Sequence, residues 1–279
     1  MEIILVNITK GIHSAQYYKG GEDTIKADEA RSGCRVWCIS DIPIDCENYI
    51  PYSSCSYTGR EMLKANPYML NRWEMLCLLR QFAVYDFVKS RDDLTWPIFP
   101  LDNDIMVFSD LNKVYKPFLS YDFTVPIYDN IRTTGAYSIH NIECLEAGIN
   151  TIKELFGKEP ELLKQKLLWG GLLLNDMTVW SMMFQSGKWK VANLLSEEID
   201  GVPIDGIFDT NIHMGEDKFV MEPSSVPMWG NLTKKITWID GNPYFTKLID
   251  NSLVRANWIH CWGSYKFRTH ELIEKAGLL

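Results

Sequence analysis

Two short stretches, far apart in the chain, carry residues that can do chemistry together. The first is Asp102-Asn103-Asp104, with apolar Ile98, Phe99 and Leu101 before it and Ile105, Met106 and Val107 after it. On an extended chain, side chains at i and i+2 face the same way. Two carboxylates so placed can share one hard cation, and oxygen ligands with open positions suit Mg²⁺ or Mn²⁺ carrying a diphosphate. Burying two carboxylates beside an apolar strand without counter-charge is costly, which itself argues for a ligand. Asp and Asn also form solvated turns. The apolar approach and exit argue instead for a chain that stays extended through the acidic residues.

The second stretch begins at His260, 158 positions after Asp102, and reads His260-Cys261-Trp262-Gly263-Ser264-Tyr265-Lys266. It follows the apolar run from Ala256 to Ile259, so His260 is expected at or near a strand end. A neutral imidazole can be a third protein ligand on the cation. Gly263 lets the backbone approach a phosphate. Lys266 can place a positive charge on a diphosphate as it leaves.

Something must bring these stretches together. Residues 2–8 (EIILVNI) read as a buried strand, and RVWCIS (35–40) as a second, ending at Asp41 and closed by Pro43. A polar, glycine-containing segment to about Gly33 separates them. Asn66-Pro67 is a helix start, with Asn as cap and Pro in the first turn, and the helix is expected to run to about residue 89. A polar turn (RDDLTW) and the apolar run 96–108 follow. Acidic residues at the carboxyl end of that strand carry functional meaning, because open α/β sheets bind ligands outside those ends. Further helices are expected over Ser138–Gly157, over 160–168 and over Asn175–Gln185. From about residue 186 the chain is strand- and loop-like, and Asp205, Asp209 and His213 read as members of an exposed polar loop. Strands alternating with helices predict an α/β fold with a mixed, mainly parallel sheet flanked by helices. No linker or repeat interrupts residues 1–279, which predicts a single domain.

The bulk properties narrow the function. Of the 279 residues 46% are apolar, which suits a globular core and excludes a disordered chain. The net charge of −8 excludes general affinity for nucleic acid. Seven cysteines, an odd number with no paired CxxC, read as reduced thiols rather than as disulfides or zinc ligands. Cys34 and Cys38 are expected on one side of a single strand. No stretch approaches the ~18 apolar residues of a membrane span, and the N-terminus lacks the basic region of a leader. A soluble, cytoplasmic protein is therefore expected.

The acidic motif together with His-x-x-Gly-x-x-Lys resembles glycosyltransferase family 8 and its relatives. That resemblance implies the GT-A fold, a Rossmann-like nucleotide-diphospho-sugar transferase architecture, and a retaining, Mn²⁺-dependent transferase using a UDP-sugar. It implies that Asp102, Asp104 and His260 hold the metal, and that Gly263 and Lys266 meet the diphosphate. Asn103 is counted with the donor site. Arg72 and Trp73 resemble the family's sugar-contacting helix. The family's Asn-(Ala/Ser)-Gly segment corresponds to Thr133-Thr134-Gly135-Ala136, which places Thr134 and Gly135 at the sugar. Its Asp-Gln-Asp motif corresponds to Asn175-Asp176, which makes Asp176 the candidate catalytic residue. From their placement, Tyr17 or Tyr18 is expected to stack on the base and Asp41 to accept its imide hydrogen. Residues 1–110 would form the nucleotide-binding half and 111–279 the sugar and acceptor half. The acceptor would be a glycan or another hydroxyl compound.

Two other classes use parts of the same pattern. A non-catalytic nucleotide-sugar or glycan-binding protein has less need of three ligands and a lysine. Haloacid-dehalogenase-type phosphatases also place Asp-x-Asp after an apolar strand, but usually with Thr or Val two residues beyond the second Asp, where this chain has Met106.

Overall fold

The computed structural model describes residues 1–7, 15–52, 72–128, 132–133, 136–157, 175–209, 211–224, 232–261 and 268–278. The helix start expected at Asn66-Pro67 and the helical piece expected over 160–168 lie outside the described residues.

A seven-stranded sheet forms the centre, in the order β10-β6-β9-β4-β1-β2-β3. Its members are β1 (Glu2–Asn7), β2 (Arg35–Ser40), β3 (Tyr49–Pro51), β4 (Ile98–Leu101), β6 (Phe123–Val125), β9 (Ser138–Ile139) and β10 (Val191–Asn193). Strands β3, β2, β1 and β4 pair in parallel, as do β6 and β10, and β9 runs antiparallel to both β4 and β6. The expected mixed, mainly parallel α/β sheet is therefore present. A second sheet holds β13 (Ile207–Phe208), β16 (Ile236–Ile239), β17 (Asn242–Thr246) and β18 (Leu253–His260), with β5 (Ile105–Val107) also paired to β18. Three small hairpins complete the strands: β7 (Ile127–Tyr128) with β8 (Arg132–Thr133), β11 (Glu198–Ile199) with β12 (Val202–Pro203), and β14 (Met221–Pro223) with β15 (Leu232–Lys234). The helices are α1 (Ala15–Arg31), α2 (Arg72–Lys89), α3 (Leu111–Val114), α4 (Ile142–Gly157), α5 (Asp176–Gln185) and α6 (Thr269–Lys275). Among the described residues no helix is long and apolar enough to cross a membrane.

Both faces of the central sheet are buried, which is why its strands read as continuous apolar runs. Ile3, Leu5, Val36, Cys38, Phe99 and Leu101 face one way and pack with Val107, Phe208 and Trp258 of the second sheet. Ile4, Val6, Trp37, Ile39 and Ile98 face the other way and meet Phe87 of α2, Leu145 of α4 and Trp180 of α5. Side chains this large contribute about 1.5–3 kcal/mol each when fully buried.

Four local expectations are corrected. The segment between β1 and β2 contains the helix α1, not only a polar excursion. The face it buries carries Asp23, Thr24 and Asp28 beside Ile25 and Ala27, so no clean apolar stripe marks it. Asp28 is tied in by a hydrogen bond from the Val107 N–H at 2.8 Å. Ser138 and Ile139 form strand β9, and α4 begins only at Ile142, where the side chain of Asn141 accepts the Cys144 N–H at 2.8 Å. Cys34 precedes β2, so it does not share a strand with Cys38. Lastly, the chain is not extended at the acidic motif. Ile105 N–H bonds to the Asp102 carbonyl at 3.0 Å and closes a tight turn. The two apolar runs around it belong to two different sheets, and the turn is the step between them.

One buried polar cluster sits where β6 and β9 meet. Tyr115 Oη is hydrogen-bonded to Thr124 Oγ1 at 2.6 Å, to Ser138 Oγ, and to His140 Nε2 at 3.1 Å. Burial pushes the His140 imidazole down to about 4, so it stays neutral in the folded protein. An unfolded chain protonates this histidine below about 6.5. As pH falls from there toward 4, the unfolded state takes up a proton the folded state refuses, and stability declines by at most about 1.4 kcal/mol per pH unit. Urea melts of the wild type and of His140→Gln at steps between pH 7 and 4.5 should show the wild type losing stability faster. Equal slopes would mean that His140 is not held neutral.

Candidate metal and donor site

The site lies where the two sheets meet. The turn Asp102–Asp104 leaves the carboxyl end of β4 and enters β5, whose residue Ile105 stands opposite His260, the last residue of β18. Cys261 N–H bonds to the Asp104 carbonyl at 2.8 Å and extends that pairing by one step. Backbone pairing alone thus sets the acidic turn beside the histidine. One ligand atom from each of Asp102, Asp104 and His260 lies within 4.8 Å of the other two. His260 Nε2 stands 3.6 Å from Asp104 Oδ1, and both side chains are buried. Two carboxylates and an imidazole at this spacing make an oxygen-rich donor set that fits a divalent cation such as Mn²⁺ or Mg²⁺.

Asp176 arrives from α5. Asn175 caps that helix, its side chain accepting the Thr178 N–H at 3.3 Å, so Asp176 sits in the first turn with its carboxylate fixed. One carboxylate oxygen accepts its neighbour Met177's N–H at 3.0 Å, and the other accepts from Gln81 Nε2 at 3.2 Å and from Arg80. Arg80 also ion-pairs with Asp102. A single guanidinium on α2 therefore bridges the proposed metal ligand and the proposed catalytic carboxylate. Burial works most strongly against its charge, but the Asp176 carboxylate, with smaller contributions from Tyr137 and Cys77, holds Arg80 above its ordinary range. Tyr137 Oη closes the network on Gln81 Oε1 at 2.6 Å, and its ring packs on Trp180. Burial raises the Tyr137 hydroxyl, which keeps it a neutral donor.

The other candidates fall into two groups. Asn103 lies in the turn itself, and Asp41 follows β2 just outside the carboxyl end of the sheet. The side chains of Tyr17, on α1, and of Arg72, at the start of α2, lie outside the described residues, as do Thr134, Gly135, Gly263 and Lys266. Residues that the motifs did not single out are present too. Arg80 and Gln81 carry no sequence signal beyond a position in the middle of a helix. Asp209 is corrected: it is 2% exposed rather than part of a solvated loop, and it pairs with buried Lys234. Nearby His213 is half-buried, and burial together with the Lys234 charge lowers its pKa.

No protein-family model matches the sequence, and no curated protein does. Among solved structures, the galactosyltransferase LgtC in complex with donor and acceptor sugar analogs is similar at a TM-score of 0.49 and 11% identity, over 100% of this chain and 96% of that one. The apo form of mouse xyloside xylosyltransferase 1 is similar at 0.46 and 8% identity, over 70% of this chain and 85% of that one. The glycosyltransferase GlyE of Streptococcus pneumoniae TIGR4 is similar at 0.32 and 12% identity, over 70% of this chain and 46% of that one.

Removing Arg80 leaves the Asp102 and Asp176 carboxylates without their shared counter-charge. Taking one partner from a buried ion pair costs about 3–5 kcal/mol. Arg80→Met should therefore lower stability by about that much in urea melts, while Arg80→Lys, which keeps the charge but not the two-pronged geometry, should lose less. An Arg80→Met protein as stable as the wild type would show that the bridge is not what holds α2 to the acidic turn.

Proposed function

We propose that this chain is a metal-dependent glycosyltransferase of GT-A type, which moves a sugar from a nucleotide-sugar donor, a UDP-sugar, to a hydroxyl of a glycan acceptor. The observation that carries the reading is the convergence of Asp102, Asp104 and His260 within 4.8 Å at the carboxyl edge of the central sheet, with Arg80 linking that group to Asp176. Bound to these three side chains, Mn²⁺ or Mg²⁺ would neutralise charge on the donor's diphosphate as it leaves.

The chain's own residues account for the rest. Asp176 is held by Arg80 and Gln81 with its carboxylate fixed in place, which suits a group that binds sugar hydroxyls and faces positive charge growing at the sugar carbon. Preorganisation of this kind requires no rearrangement at the moment of reaction. Lys266 and Gly263, six and three residues beyond His260, are proposed to receive the diphosphate. Asn103, Arg72, Thr134 and Gly135 are assigned to the donor, with Tyr17 and Asp41 at its base. In the retaining course, the acceptor oxygen bonds to the sugar carbon on the face from which the diphosphate departs. The carbon–phosphate oxygen bond breaks, and the released phosphate oxygen takes the acceptor's proton. The chain acts as one domain, with residues 1–110 as the nucleotide half and 111–279 as the sugar and acceptor half.

The test is nucleotide release from a panel of UDP- and GDP-linked hexoses and pentoses, with and without Mn²⁺. Wild type should cleave one donor in a Mn²⁺-dependent way. Asp104→Ala should lose that activity, and Asp176→Asn should lower kcat by about 100-fold or more, the scale of one electrostatic group aimed at developing charge. If no donor is bound or cleaved at any metal concentration, the reading fails. Donor binding without turnover would make the protein a nucleotide-sugar binder instead.

A further inference from the structure

Two charged side chains outside the proposed chemistry are buried as deeply as Asp104 and His260. Asp209 follows β13 and Lys234 ends β15, and each is 2% exposed. Lys234 Nζ lies 2.5 Å from Asp209 Oδ1 and donates to the Asn211 carbonyl at 2.6 Å. It also sits over the rings of Phe219 and Phe245, at 5.3 and 5.2 Å. A buried pair of this kind is weak evidence for stability, because two apolar side chains of similar size often serve as well or better. What the pair holds in place gives it a better reason.

The strand β13 pairs with β18 at Ile207↔Ala256 and Phe208↔Trp258, and then ends. The side chain of Asp209 carries the ladder one step further. Its Oδ2 accepts the backbone N–H of His260 at 3.2 Å. Its backbone brackets Trp258, donating to the Trp258 carbonyl at 3.4 Å and accepting Trp258 Nε1–H at 2.8 Å. Ile212 N–H then bonds to the His260 carbonyl at 3.0 Å, and Lys234 N–H bonds to the Ile212 carbonyl at 2.8 Å. The two edges of β18 are therefore held by different elements. Cys261 N–H points to the acidic turn, whereas both backbone groups of His260 point to the segment around Asp209. Gly206, at φ +84°, lets that segment come in close, since a Cβ there would stand 2.7 Å from the Arg255 carbonyl.

We infer that Asp209 and Lys234 are positioning residues for metal binding: the ion pair fixes the Asp209 carboxylate, and the carboxylate fixes His260 at its distance from Asp104. This rests on His260 being a metal ligand, as proposed above. Partners that orient a ligand from behind typically change metal affinity 10–100-fold when removed.

The test uses the full chain and Mn²⁺ alone, titrated by electron paramagnetic resonance, with unfolding midpoints measured in parallel. Asp209→Leu/Lys234→Met removes both charges and the acceptor while keeping the space filled. Asp209→Asn/Lys234→Met removes both charges but keeps a side-chain oxygen for the His260 N–H. The first should bind Mn²⁺ about 10–100-fold more weakly than wild type, and the second should recover to within about threefold. A role in stability alone would move the melting midpoint and leave the affinity of the folded protein unchanged. If Asp209→Leu/Lys234→Met does not fold, Asp209→Val/Lys234→Met is read in the same way. Asp104→Ala separates the two levels of the argument. If it abolishes Mn²⁺ binding while the apolar pair binds as wild type, the positioning role is overturned and the metal site stands. If Asp104→Ala binds Mn²⁺ as wild type does, the metal site falls, and this inference with it.

Discussion

The register of β5 against β18 is the constraint on which the site depends. Ile105 stands opposite His260, Met106 opposite Ile259 and Val107 opposite Trp258. A slip of one residue would turn the imidazole to the face where Ile259 and Cys261 pack with Met106 and Phe108. That face is apolar and buried, so the slip would desolvate an imidazole without a polar partner. The apolar packing of β18 thus selects the one register that points His260 at the acidic turn. The turn in turn exists because β4 belongs to one sheet and β5 to another.

Charge is organised around that register in two layers. On the α2 side, Arg80 bridges Asp102 and Asp176. On the β13 side, Lys234 neutralises Asp209, which reaches the His260 backbone. In each case a cation on one element holds a carboxylate on another. Attraction inside a protein is stronger than in water, but so is the cost of desolvation, and the two roughly offset in stability. What remains is orientation. Long flexible side chains become fixed only where their charge has a single place to go, and the two pairs reach the Asp102–Asp104–His260 cluster at Asp102 and at the His260 backbone.

Much of the scaffold was legible because the physics is local. The strands β1, β2 and β4 announce themselves as apolar runs, and α4 carries Ile142, Leu145, Ile149 and Ile152 at helical spacing. Asp102, Asp104 and His260 were legible as a set because the acidic motif and the His-x-x-Gly-x-x-Lys spacing together resemble a known pair of motifs, not because either stretch is decisive alone. The failures share a cause. In α1 the buried face is partly polar, with Asp28 serving the backbone of Val107, so hydropathy says nothing about it. At the acidic turn, two apolar runs looked like one extended chain because sequence does not state which sheet a strand joins. Arg80 and Asp209 act through partners 22 to 96 positions away, on Asp102, Lys234 and Asp176, and no local spacing encodes such pairs. Their signal exists only once the elements are assembled.

The parallel arrangement explains why the candidate residues collect at one edge. In β2, β1 and β4 every carboxyl end points the same way, and Leu5 aligns with both Cys38 and Leu101. Asp102 therefore comes level with Ile39, and Asp41 emerges two residues farther along, from strands separated only by β1, a sideways span of roughly 10 Å at the usual strand spacing. On the proposed function, a nucleotide lying along this edge would place its base toward Asp41 and its phosphates toward the triad, with the ribose over the end of β1. The sheet supplies that spacing through its backbone alone.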